Sequence, residues 1–269
     1  MSVDAETAPK RASVYYSADA LVRAREGLAA VPGKQEVLQA RFLMHPFKVQ
    51  RAREFAHHGF VRRTATLARS VANVFALIPP ERIEPLDDHD VRHDAEINIQ
   101  AAVFSAFAAV DNLAWIWVIE KDVLQPNGEK IRPEWVGLRP KNWVVRDTLP
   151  DKLREFVAGF DEWFAGIDNY RHALAHRIPL YIPPYCIDPK NAARHEELDL
   201  LQVQAATKGK FEEMDRLRAE QEAMRFFRPW IQHSFSEGAS PLGFHPQLLA
   251  NFNTIEALGN AVLDELRAE

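Results

Sequence analysis

The run from Ala101 to Ile119 is apolar almost throughout, yet Ser105 and the adjacent pair Asp111-Asn112 lie inside it. A carboxylate near the centre of a bilayer is costly, so this segment reads as the buried central helix of a globular fold and not as a membrane span. The rest of the chain must then be arranged to cover it. Stretches of helical periodicity are separated by proline-bearing loops, with no β-type alternation, internal repeat or low-complexity tract. The expected fold is therefore all-α, a helical bundle with an up-and-down core.

Five further segments complete that expectation. Ser17 to about Val31 reads as a first helix capped by Ser17, and Val49 to Ile78 as a long second one stopped by Pro79-Pro80. The central helix should begin in the cluster Asp87-Asp88-His89-Asp90, whose carboxylates suit a helix N-terminus, and continue to about Leu124. Gln125 to Leu149 holds several prolines and an Asn-Gly pair, and reads as a long loop anchored by Trp135 and Trp143. A fourth helix is predicted from Pro150-Asp151 to Ile178, with a stripe through Leu153, Phe156, Val157, Phe160, Trp163, Phe164, Ile167, Leu174 and Ile178. A polar fifth helix spans Ala192 to Phe227, and an amphipathic last one runs from Pro246 to about Leu266.

With 47% hydrophobic residues the chain has ample material for a core, and a formal net charge of −5 supplies no global basic field to attract nucleic acid or an anionic membrane. Any RNA contact must be local. The single cysteine, Cys186, excludes an intramolecular disulfide and a cysteine-based zinc site. Met1 to Arg11 is polar and lacks the apolar run of a secretory signal, so a cytoplasmic location is expected.

Chemistry concentrates in Arg171-His172-Ala173-Leu174-Ala175-His176. At 100° per residue, Arg171 falls near the middle of the fourth helix's apolar stripe, where an unpaired guanidinium is unfavourable. It needs a carboxylate, a subunit interface or an anionic ligand. Asp111, in line with Phe104, Trp115 and Val118 on the central helix, is the candidate partner, and a plain internal ion pair is the alternative to a functional one. Asn112 beside it reads as a supporting or helix-packing residue. His172 and His176 share one helix edge with Asp168 a turn earlier, an acid-imidazole-imidazole ladder suited to moving protons near neutral pH. Those three residues also suggest a metal site, but there is no obvious fourth ligand and no His-Glu-x-x-His pattern, so no metal or other cofactor is expected.

An Arg, a polar residue and a His at this spacing, near the end of an amphipathic helix, resembles the HEPN superfamily of compact α-helical domains. The resemblance covers roughly Asp90 to Leu266 and divides the chain into an N-terminal helical extension, residues 1–86, and a HEPN-like domain, residues 87–269, unless both form one continuous domain. It implies a metal-independent endoribonuclease, often a toxin or antiviral effector, working as a homodimer with the motifs in one cleft and sometimes held by an antitoxin protein. It also implies the alternative of an inactive module that binds a nucleotide or a protein. On the resemblance, Arg171 and His176 are the catalytic pair, His172 is the polar motif residue, and the chemistry is attack of a 2′-hydroxyl on the adjacent phosphate. Arg177, Arg139, Lys141 and Arg146 are the local cations that would hold RNA if they are not ordinary surface charges. Tyr181 and Tyr185, around Pro183-Pro184, would stack on a base if they do not merely pack on the bundle.

Overall fold

The computed structural model describes residues 15–234 and 241–267. Met1 to Arg11, read above as lacking a secretory signal, lies outside the described residues. The fold is an all-α helical bundle with two two-stranded ribbons among the described residues. Helix α1 (Ala18–Met44) starts where expected, with the Ser17 hydroxyl accepting from the Ala20 amide. It does not stop at Val31. It continues through Pro32, because Gln35, Leu38 and Phe42 beyond the proline are buried, and that burial outweighs the hydrogen bond a proline removes.

The second predicted helix forms one rod from α2 (Gln50–Glu54) to α3 (Val61–Leu77), joined by a wide turn over Phe55–Phe60 in which the Val61 amide donates to the carbonyl of Ala56, five residues back. Periodicity gave no sign of that turn. The central helix α4 (His89–Glu120) is capped by Asp88, whose carboxylate accepts from the amides of Asp90 and Val91. Its end comes before Leu124, where Asp122 takes a positive φ of 47° and the Val123 amide reaches back to the Val118 carbonyl. α4 is long and apolar enough to cross a membrane, and 61% of its most apolar stretch is buried inside the bundle.

The segment after α4 is a loop, as expected, with a short turn at Pro133–Trp135 and the brief helix α5 (Trp143–Arg146). Its anchors are not the tryptophans. Trp143 is 55% exposed and Trp135 only half-buried, whereas Val136, Leu138 and Val145 enter the core. The predicted fourth helix divides into α6 (Asp151–Ala158) and α7 (Asp161–His176). At Gly159-Phe160 the bonding tightens, Phe160 donating to Val157 three residues back, and this resets the helix phase. Phe156 and Ile178, which belong to the stripe only if the helix is continuous, are accordingly exposed.

Strand β1 (Cys186–Ile187) pairs antiparallel with β2 (Arg225–Phe226). Between them the predicted fifth helix is a hairpin of α8 (Ala192–Thr207) and α9 (Phe211–Glu222), turned at Gly209, whose φ of +70° suits glycine. Strands β3 (Trp230–Ile231) and β4 (Leu242–Gly243) lead into α10 (Phe244–Arg267). One apolar core joins residues of α1, α3, α4, α6, α7 and α10, so side chains on both sides of position 87 share it. The α8–α9 hairpin has a small cluster of its own around Leu198, Ala205 and Leu217.

Candidate functional site

Packing of α7 on α4 brings the predicted Arg171 to the ring of Phe107, with the guanidinium carbon 5.1 Å from the ring centre. A second guanidinium, that of Arg139, lies 3.9 Å from the same centre. Attraction between a cation and the electron-rich ring face holds both. Asp111 does not pair with Arg171. Its carboxylate accepts from Arg139 at 2.9 Å, because the loop after α4 folds back and delivers Arg139 first. That arginine is no surface charge, since its side chain is only 8% exposed, and its Nε and Nη2 have no acceptor. Arg146 is buried likewise and donates to Asp161 at 2.8 Å.

Arg171 is half-buried, and no carboxylate reaches it among the described residues. Two guanidinium groups therefore share one phenyl ring and one carboxylate, leaving an uncompensated positive charge at the edge of α7. An anion placed there gains a charge-assisted contact without displacing an internal partner.

His172 and His176 are both exposed at the C-terminal end of α7, their ring centres 5.1 Å apart and their planes inclined by 60°. The expected ladder breaks at its first rung. Asp168 hydrogen-bonds neither imidazole, and its ionic neighbour is Lys141, 3.9 Å away. An aspartate stem is short, and a flexible ammonium on the adjoining loop reaches the carboxylate more easily than an imidazole one turn on. Among the described residues no three His, Cys, Asp or Glu side chains gather as a metal-holding group, Asp168, His172 and His176 included.

The remaining predicted residues lie apart from this cluster. Arg177 leaves the helix and folds back, its Nη2 donating to Asn169 Oδ1 at 2.7 Å. Tyr181 is tied through its backbone to Gln232, and burial pushes its phenol up. Tyr185 has the Arg225 guanidinium 4.4 Å over its ring, so that face is covered. Asn112 turns away from α7 and sets its amide against Gly59 on the wide turn.

The residue that sequence reasoning undervalued is Arg139. It lies in an aperiodic loop, where no helical projection assigns a direction, and only its apolar neighbours Val136 and Leu138 hinted at burial. No protein-family model, curated protein or solved structure matches the chain.

Proposed function

We propose that the chain is a metal-independent endoribonuclease of the HEPN type. One observation carries the reading: Arg171 has no carboxylate partner and immediately precedes an exposed pair of imidazoles, His172 and His176, on the same helix end. A cation free to meet a phosphate, beside groups that exchange protons near neutral pH, is the minimum equipment for cleaving RNA through its own 2′-hydroxyl.

In this reading His176 accepts the proton of the 2′-hydroxyl as its oxygen attacks phosphorus. The bond from phosphorus to the 5′ oxygen breaks, and His172 returns a proton to that departing oxygen. The products are a 2′,3′-cyclic phosphate and a 5′-hydroxyl. Arg171 neutralises charge accumulating on the phosphoryl oxygens, and Arg139, fixed by Asp111, reinforces the positive field around Phe107. Two copies meeting at this face complete the cleft. DNA lacks the nucleophile and is inert. A toxin or defence role, with an antitoxin protein as partner, is the biological setting that fits such an activity.

The test is incubation of the protein with labelled single-stranded RNA and matching DNA in the presence of chelator, with His176→Ala alongside. Cutting of RNA alone, lost in the variant, is expected. Intact RNA across several substrates would overturn the proposal and leave an inactive nucleotide- or protein-binding module.

A further inference from the structure

The wide turn at Phe55–Phe60 borders a cavity of about 190 Å³ lined by Arg51, Glu54, Phe55, His58, Gly59 and Asn112. A wide turn inside a helix gives up regular bonding and is found disproportionately at functional sites. Here it creates a close approach. A side chain at Gly59 would meet the Asn112 amide at 2.9 Å, so glycine lets that amide lie flat on the backbone of the turn. Neither end of the amide is hydrogen-bonded among the described residues, and its oxygen is shut away from solvent. A buried polar group without a partner costs on the order of 1–3 kcal/mol, so the arrangement calls for a ligand.

The charges around this cavity are already balanced. Arg51 donates to Glu54 at 2.6 Å, and its guanidinium lies 4.8 Å from the centre of the Phe55 ring, which stacks on Trp115 at an interplanar angle of 13°. Arg62 donates to Nδ1 of His58 at 3.1 Å. Because a guanidinium only donates, Nδ1 must be the acceptor, and the neutral ring carries its proton on Nε2. What remains unspent is neutral and two-sided: a carboxamide and one imidazole N–H. The volume corresponds to about six waters, the scale of a single heterocycle.

We propose that this cavity binds one nucleobase by its polar edge. A phosphate or carboxylate would find no free cation there, whereas a base offers the neighbouring donor and acceptor that a carboxamide matches. The proposal rests on the ribonuclease reading for its substrate. Asn112 stands five residues from Phe107 on α4, about 7.5 Å of helix rise. The partly exposed Asp111 and Trp115 lie between the two places, so a strand whose phosphate sits at Arg171 reaches the cavity within a nucleotide or two.

Titration with adenosine, cytidine, guanosine and uridine 5′-monophosphates, set against ribose 5-phosphate, tests the cavity without requiring cleavage. At least one nucleotide should bind ten-fold or more tightly than ribose 5-phosphate. Asn112→Leu should abolish that difference and leave ribose 5-phosphate binding unchanged. Gly59→Ala, which displaces the amide while keeping every polar group, should reduce the difference and serves as the second variant should Asn112→Leu unfold. Equal binding of all five compounds, or a preference that survives both substitutions, overturns the proposal. Uncut RNA together with an Asn112-dependent nucleotide preference would overturn the nuclease reading alone. Cut RNA with no such preference would overturn the cavity proposal alone.

Discussion

The histidines of the core and those at the end of α7 are the same residue put to opposite use. His245, on α10, is fully buried, donates from Nε2 to the Ile78 carbonyl at 2.7 Å and meets the Tyr16 hydroxyl through Nδ1 at 3.4 Å. Burial pushes its pKa down to about 4, so it stays neutral and structural at physiological pH. His172 and His176 carry no such bonds and face solvent beside a free arginine. A dense core immobilises titratable groups by taking both their protons and their lone pairs, whereas a helix end that projects from it leaves them available.

The comparison breaks most visibly through His176→Ala. RNA cleavage should fall by roughly 10²–10⁴-fold, with the thermal midpoint unchanged because the side chain is exposed. If the midpoint falls instead, the histidine is structural after all. In the core the effect inverts: Phe252, 1% exposed, should cost about 3–5 kcal/mol when replaced by alanine, read from denaturant midpoints.

Acid sharpens the same contrast. Since the folded His245 binds its proton less readily than the unfolded one, its contribution is complete above the ordinary histidine pKa and is lost as pH falls towards about 4. About 3 kcal/mol of stability should disappear over that window, and His245→Gln should flatten that part of the profile. Asp111→Asn keeps an acceptor for Arg139 but removes its counter-charge, and about 2 kcal/mol is expected, measured by urea unfolding. Smallest of all, Lys141→Ala opens an exposed contact with Asp168 and should move stability by less than about 0.5 kcal/mol.

Much of the fold was legible because helical periodicity and end signals are local. Ser17 and Asp88 cap the helices they were expected to cap, and Pro79-Pro80 stops α3. The errors arose where tertiary burial overrode a local signal, as at Pro32, or where a local break lacked a strong one, as at Gly159-Phe160 and within Ala192 to Phe227. The motif residues Arg171, His172 and His176 were equally legible as neighbours on one helix end. Their partners were not, since Asp111 and Asn112 are adjacent in the chain yet serve opposite sides of α4, one held by Arg139 and the other lying on Gly59.

The sequence by itself determined the all-α character of the chain, the central place of α4 and the grouping of Arg171 with two histidines, because a period of 3.6 residues orders side chains within a helix without reference to anything else. Only the tertiary structure decided which cation meets Asp111, that Arg171 rests on Phe107 without a carboxylate, and that a wide turn opens a cavity beside Asn112. Contacts between elements depend on how loops return and how surfaces fit, and neither is encoded in the spacing of residues along a helix.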